Sequence, residues 1–315
     1  MKRTVLALQP LLDNEMQQLS DDYNVIRLWE ANDPVSTIKQ HAHDVQAILS
    51  TYNSSGVSDR LISALPNLEV IAQFGVGYDN IDLVAAHKHG IAVTNTPDVL
   101  TDDTADVALY LMLNVARRAV EADMFVRVGR WQSGAMPLST SLSGKTVGIV
   151  GLGQIGQAIA QRAAAFNTTI VYHSRSQKDV AYKYYDDLEN MARDCDFLVL
   201  ACAGGEQTQD LITYKILEAL GSKGFLINIA RGSVVNEEDL LIALRNQTIA
   251  GAGLDVFANE PDVPAEMIKM DNVVLSPHVG SATIETRSKM GQLVLDNLSA
   301  HFEGEPLLSP VKLAG

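Results

Sequence analysis

An apolar run that ends in three closely spaced glycines leaves a chain few ways to fold. Here Val147-Gly148-Ile149-Val150 reads as a buried parallel strand, and Gly151-Leu152-Gly153-Gln154-Ile155-Gly156 follows with G-x-G-x-x-G spacing. Gln157 to Ala165 then read as a helix. In such a strand, turn and helix, the first glycine makes a tight turn and the second lets backbone approach a pyrophosphate. The third lets helix and strand pack closely. The helix N-terminus adds N–H groups and the positive end of its dipole. Gly151, Leu152, Gly153, Gln154, Ile155 and Gly156 are therefore candidate phosphate-binding residues, and a dinucleotide is the expected cofactor.

The next strand selects the dinucleotide. NAD sites place an acidic residue about 20 residues past the glycines, where it holds the ribose 2′-OH. In this chain Thr169-Ile170-Val171-Tyr172 runs into His173-Ser174-Arg175-Ser176-Gln177-Lys178, with no carboxylate at the strand end. Ser174, Arg175 and Ser176 suit a 2′-phosphate instead, so NADPH is expected, with NADH the weaker alternative.

At 315 residues the chain is long for one core, and two domains are expected. A net charge of −14 argues against nucleic acid as a partner, because that binding is driven by basic surface. It also requires a local positive site for an anionic cofactor and substrate. Cys195 and Cys202 show no metal-ligand or redox spacing and read as structural thiols of a reducing cytoplasm; no metal is expected. Met1-Lys2-Arg3 followed by Thr4 to Leu8 briefly mimics a secretory leader, but Pro10, Asp13 and Glu15 soon interrupt it. A first β-strand accounts for it better. No run approaches a membrane span.

Strand-like and helix-like segments alternate along the chain, the pattern of α/β folds. The early strands are expected at Thr4 to Leu8, Val25 to Leu28, Ala47 to Leu49, Val70 to Gln73 and Ala92 to Thr94. Helices such as Ser58 to Ala64 and Leu83 to Lys88 fall between them. Asn95-Thr96-Pro97-Asp98 marks a boundary, and Thr101 to about Val128 reads as one long helix. The second set of strands is expected at 147–150, 169–172, 197–200, 225–228, 251–254 and 273–275. A last helix, Thr283 to Phe302, would return to the first domain. Residues 1–97 with 284–315 would then form the substrate domain, and 98–283 the dinucleotide-binding domain.

Three segments of the second half carry chemistry. Ile227-Asn228-Ile229-Ala230-Arg231-Gly232, Leu254-Asp255-Val256-Phe257-Ala258-Asn259-Glu260 and Ser276-Pro277-His278-Val279-Gly280 each put a charged or titratable group just past an apolar strand. If those strands are parallel, Arg231, Glu260 and His278 project at the rim that carries the glycines. Such a trio suits carbonyl reduction. The Arg holds an anion, the His gives a proton to the oxygen, and the Glu orients the His and favours its charged form.

At this point the chain resembles the D-isomer-specific 2-hydroxyacid dehydrogenases, over nearly its whole length. The motifs are Gln73-Phe74-Gly75-Val76-Gly77-Tyr78-Asp79-Asn80-Ile81-Asp82, the Thr-Pro-Asp-Val-Leu-Thr-Asp-Asp run at 96–103, the Ser174-Arg175 pair and Gly-Ala-Gly-Leu-Asp-Val-Phe at 251–257. Within the family it looks most like the glyoxylate/hydroxypyruvate and hydroxyphenylpyruvate reductases. The resemblance implies two doubly wound parallel-sheet domains, a Rossmann cofactor domain and a flavodoxin-like substrate domain, with a cleft between them. It also implies a homodimer.

By motif, the resemblance makes Arg231 the substrate-binding arginine, Glu260 the partner of the histidine and His278 the general acid/base. The Val76-Gly77 backbone would bind the substrate carboxylate. Asp255 and the carbonyl of Ile229 would hold the nicotinamide carboxamide, with Thr101, His278 and Gly280 nearby. Trp131 would either reach the partner subunit's pocket or pack in the dimer interface. One departure stands at Ala201-Cys202-Ala203-Gly204-Gly205-Glu206, where many members have a Cys-Pro-Leu-Thr type of segment beside the adenosine. The implied reaction reduces a 2-oxo acid to a D-2-hydroxy acid, most simply glyoxylate or hydroxypyruvate. A larger 2-oxo acid, an aryl pyruvate or 2-ketogluconate, is the alternative, with pocket size set around Tyr52 to Ser54, Leu100 and Met136 to Leu138. A nucleotide-sensing corepressor on the same scaffold is a reading from a different class.

Overall fold

Parallel strands covered on both faces read as unbroken aliphatic runs, and the chain supplies two sets of them. The computed structural model describes residues 2–52, 54 and 56–312. Met1, Asn53 and residues 313–315 of the segments discussed above lie outside the described residues. The chain divides into two compact units. Unit 1 takes residues up to Leu100 and resumes at Ser281, and unit 2 is Thr101–Gly280.

Unit 1 alternates β1 (Thr4–Ala7), α1 (Asp13–Asp22), β2 (Asn24–Arg27), α2 (Pro34–Gln40), β3 (Val45–Thr51), α3 (Asp59–Ser63), β4 (Val70–Phe74), α4 (Leu83–Lys88) and β5 (Ala92–Thr94). All pairings are parallel, in the order β2-β1-β3-β4-β5. This is the flavodoxin-like order. β1 and β4 are buried along their whole length, as expected of inner strands. The unit is closed by a helix from the far end of the chain, α11 (Ile284–Glu303), which packs on β4 and α1. Beyond it, Pro310 bridges Thr94 and the Val311 N–H donates to Val93 O at 2.8 Å, so the chain's late residues flank β5.

Unit 2 holds α5 (Thr101–Arg117), α6 (Ala119–Arg127), β6 (Thr146–Val150), α7 (Gln154–Ala164), β7 (Thr169–His173), β8 (Lys183–Tyr185), α8 (Leu188–Asp194), β9 (Phe197–Leu200), α9 (Tyr214–Leu220), β10 (Phe225–Asn228), α10 (Glu237–Arg245), β11 (Gly251–Leu254) and β12 (Val273–Leu275). The sheet runs β12-β11-β10-β9-β6-β7-β8, again all parallel. Strand order reverses between β6 and β9, the switch point at which doubly wound sheets open a crevice. The glycines of β11 let α5 lie close to the sheet. A Cβ on Gly253 would meet Leu111 Cβ at 3.0 Å, and one on Gly251 would meet Val115 Cγ2 at 3.1 Å, both residues of α5.

Two expectations need correction, and one strand lies outside the expected set. The long helix is broken at Arg118, which adopts φ +52° between α5 and α6. No residue there breaks a helix by propensity. Packing does: Ala116 is the last buried residue of the stripe, and its carbonyl accepts the Thr140 N–H at 2.9 Å. The helix after the glycines starts at Gln154 rather than Gln157, so Gly156 lies inside its first turn. β8, Lys183-Tyr184-Tyr185, has no apolar alternation to announce it.

Candidate active site

The three glycines divide the work of the first βα turn. Gly151 takes φ +95°, and a Cβ there would stand 2.7 Å from the backbone of Cys202, at the end of β9. A Cβ on Gly156 would lie 2.1 Å from Gly151 O, so helix and turn touch. A Cβ on Gly153 would meet nothing within 4 Å. The tight positions are thus filled by protein, while the middle glycine faces open space at the N-terminus of α7, which has no side-chain cap. That is the shape a pyrophosphate needs. Leu152 is buried in the core, so only its backbone faces this space, whereas Gly153 and Gln154 are exposed and Ile155 is half-buried.

The loop after β7 is framed by two tyrosines. Tyr172, fully buried, donates from its hydroxyl to Lys178 O at 3.2 Å and accepts the Lys178 N–H at 2.8 Å. The Tyr184 hydroxyl donates to Ser174 O at 3.2 Å, and the two rings pack with centroids 5.4 Å apart. Between these anchors, Arg175 is exposed and its guanidinium has no ion-pair partner among the described residues. Ser174 Oγ donates to Ser176 O at 2.7 Å, so this hydroxyl must rotate to serve a phosphate. No carboxylate stands in the loop before Asp179. The residues present therefore fit a dinucleotide carrying a 2′-phosphate.

The strand ends β10, β11 and β12 bring the catalytic candidates together. At β10, Asn228 closes the turn: its Oδ1 accepts Ala230 N–H at 3.0 Å and its Nδ2 donates to Arg231 O at 2.9 Å. Gly232 then presses on the next loop, because a Cβ there would fall 1.9 Å from Phe257 C and 2.0 Å from Phe257 O. This contact forces the Arg231 turn against the loop of Glu260. In that loop Glu260 Oε1 accepts the Phe257 N–H at 3.0 Å, and Glu237 of α10 accepts the Ala258 N–H at 3.2 Å.

Glu260 Oε2 lies 2.6 Å from His278 Nδ1. Burial alone would raise the Glu260 carboxyl, but the His278 hydrogen bond and charge, the Phe257 N–H and the Arg231 charge together hold it below the ordinary range. The Gly232 contact with Phe257 and the Glu260 contact with His278 bring the loops of all three candidates together. His278 itself adopts φ +51°, and its N–H donates to Asp255 O at 2.9 Å and to Ser276 O at 3.1 Å.

Asp255, almost wholly buried, organises this turn. Its Oδ1 accepts the Val279 N–H at 2.8 Å and its Oδ2 the Gly280 N–H at 2.9 Å. Burial raises the Asp255 carboxyl, opposed by Val279, Ser276, His278 and Gly280. From the other side α5 braces the turn, with Thr104 Oγ1 donating to Gly280 O at 3.0 Å and Tyr110 to Ser276 Oγ at 2.5 Å. Thr101 lies one helical turn before Thr104 and so on the same face of α5. Ile229 is buried, and its carbonyl accepts no hydrogen bond among the described residues.

Val76 and Gly77 belong to unit 1, in the loop after β4. Their carbonyls are bound, by Asn95 Nδ2 at 2.9 Å and by Gln73 Nε2 at 3.1 Å. Their N–H groups donate to no acceptor among the described residues. Asn228, Asn95, Thr104, Tyr110, Tyr172 and Tyr184 were not singled out in the sequence. Asn228 and Asn95 carry a readable signal, since Asn is depleted in strands and marks a turn where one ends.

Residues 109–280 match the model of the D-isomer specific 2-hydroxyacid dehydrogenase, NAD binding domain. The chain belongs to the D-isomer specific 2-hydroxyacid dehydrogenase family. It is 47% identical over 308 residues to the glyoxylate/hydroxypyruvate reductase A of Arabidopsis thaliana, spanning 98% of each chain. It is 46% identical to the hydroxyphenylpyruvate reductase of Plectranthus scutellarioides, again over 98% of each. Among solved structures, an NADPH-dependent glyoxylate/hydroxypyruvate reductase from Sinorhizobium meliloti, in complex with NADP and malonate, is similar at a TM-score of 0.91 and 41% identity. That match covers 99% of this chain and 97% of the other.

Proposed function

We propose that the protein reduces 2-oxo acids to D-2-hydroxy acids with NADPH, glyoxylate and hydroxypyruvate first among them. The observation that carries this reading is the 2.6 Å contact of His278 Nδ1 with Glu260, beside Arg231 and at the strand ends of a dinucleotide fold. When bound, the reduced nicotinamide supplies a hydride to C2 of the substrate. Arg231 holds the substrate carboxylate and polarises the C2 carbonyl, and the Val76 and Gly77 amides supply further donors for the carboxylate. Nε2 of His278, opposite the Glu260 contact, gives its proton to the oxygen as negative charge develops there. Ionised Glu260 fixes the imidazole through Nδ1 and so leaves Nε2 to face the substrate oxygen. Asp255 and Ile229 O serve the carboxamide of the nicotinamide, flanked by Thr101 and Gly280. Ser174, Arg175 and Ser176 take the 2′-phosphate, in keeping with the NADPH-dependent relative from Sinorhizobium meliloti.

In this reading unit 2 is the cofactor unit and unit 1 the substrate unit. The working form is a homodimer. α6 has no buried residue and exposes Val120, Met124 and Val126, and Trp131 and Leu138 after it are exposed as well. The free thiols Cys195 and Cys202 accord with a reducing, cytoplasmic setting. No helix among the described residues is long and apolar enough to cross a membrane.

Initial rates of NADPH and NADH oxidation at matched concentrations test the reading, across glyoxylate, hydroxypyruvate, 4-hydroxyphenylpyruvate and 2-ketogluconate. The expected result is NADPH-dependent turnover, fastest with the two smaller acids. Faster turnover of either larger acid would move the assignment to that substrate, a course the hydroxyphenylpyruvate reductase at 46% identity keeps open. Tight NADPH binding without any turnover would favour a nucleotide-sensing module.

A further inference from the structure

A peptide unit is planar and trans, so binding its carbonyl fixes its N–H in the opposite direction. The Gly75–Val76 unit is held by its carbonyl, which accepts the Thr96 N–H at 2.9 Å, and Thr96 Oγ1 accepts the Gly75 N–H at 3.0 Å. The Val76–Gly77 unit is held by Asn95 Nδ2, which donates to Val76 O at 2.9 Å. Both carbonyls thus turn toward Asn95 and Thr96, and the Val76 and Gly77 N–H groups turn away together. Two adjacent amides aimed the same way form an anion-binding concavity.

Asn95 is itself held. Its N–H donates to Ser309 O at 3.3 Å, and its carbonyl accepts Ser309 Oγ at 2.6 Å. Ser309 is in turn fixed by Asn297, a fully buried residue of α11. Asn297 Oδ1 accepts the N–H groups of Leu308 and Ser309 at 3.0 and 3.2 Å. Asn297 Nδ2 donates to Leu293 O at 2.8 Å and Ser309 Oγ at 2.9 Å. Every polar atom of the Asn297 amide is satisfied, so this end of the network is rigid.

We propose that Asn95 is a positioning residue for substrate binding. It aims the Gly77 amide at the substrate carboxylate, and Asn297 and Ser309 lock it in place through the last helix and the segment after it. This rests on the reading that the Val76 and Gly77 amides bind that carboxylate.

The test is steady-state kinetics of the full chain with glyoxylate and NADPH. Asn95→Leu removes the side-chain donor. Asn95→Asp keeps the shape but sets an acceptor against Val76 O. Each should raise KM for glyoxylate roughly tenfold or more, the worth of one hydrogen bond to a charged group. The change in kcat should be much smaller and the Kd for NADPH unchanged, because the amide binds ground state and transition state alike. A merely structural role would instead move NADPH binding and thermal stability with KM. Ser309→Ala, a milder change, should raise KM in the same direction. Wild-type KM in either Asn95 variant, folded by its melting temperature, would overturn the proposal. A ternary structure of the wild-type protein with NADPH and oxalate tells the two ideas apart. A carboxylate away from the Gly77 N–H would sink the underlying reading. A carboxylate on that amide, with unaltered KM in the variants, would remove Asn95 alone.

Discussion

His278 occupies a left-handed backbone position that few non-glycine residues adopt, and Asp255 holds it there through two amides of the same turn. Replacing His278 by Gln keeps the shape and removes the proton donor. Turnover should fall by about 10²- to 10⁴-fold, the usual worth of general acid catalysis, with NADPH affinity nearly unchanged. Single-turnover rates and NADPH fluorescence titration would check this, and turnover within twofold of wild type would end the assignment. Glu260 makes a pH statement. Its carboxyl titrates below the ordinary value of 4.5, so its share of stability is complete above that value and is lost as pH falls through the lower folded value. Thermal melts of wild type and Glu260→Gln should therefore differ at neutral pH and converge in acid. A gap that stays constant down to pH 3 would contradict the pairing. The sequence places Arg231, Glu260 and His278 in the loops that follow three apolar strands, and those loops do follow β10, β11 and β12. Asn228 and Asn95 give only a turn signal in the sequence, and which carbonyl each holds shows only in the folded turn.

Elements meet where glycine allows it. Gly232→Ala places a methyl inside the Phe257 carbonyl group, and backbone rather than a flexible side chain stands in the way. The Arg231 and Glu260 loops must then separate, at a cost of about 3 kcal/mol from overpacking. The expected outcome is a lowered melting temperature and lost turnover, with NADPH still bound. Full activity in Gly232→Ala would show that the two loops need not touch. The strands are legible at this scale, being runs of Val, Ile and Leu, and their predicted positions agree with the observed ones within two residues except at β8. The break at Arg118 is hidden because it depends on Thr140, 24 residues later, taking the Ala116 carbonyl from the helix. β8 is hidden because Lys183-Tyr184-Tyr185 is an edge strand without apolar alternation.

For the whole molecule, the exposed apolar residues of α6 predict association. Met124→Glu combined with Val120→Glu should turn a dimer into a monomer in sedimentation or light scattering, while NADPH binding persists. A monomer in the wild-type protein would refute the dimer outright. The two-unit α/β organisation is legible from the alternation of strands and helices, and a last helix from its apolar spacing; that helix, α11, comes back to pack on β4 and α1. What the spacing hides is the purpose of that return. On the role proposed for Asn95, the Gly77 amide is aimed only after Ser309 has met Asn95, which lies 214 residues earlier in the chain. As synthesis proceeds from the N-terminus, the glycine loop and the paired His and Glu have all emerged before α11 does. A growing chain can therefore acquire its nucleotide grip well before it can recognise an acid. On that proposal, competence toward the substrate follows the grip on the nucleotide and arrives with the residues that flank β5.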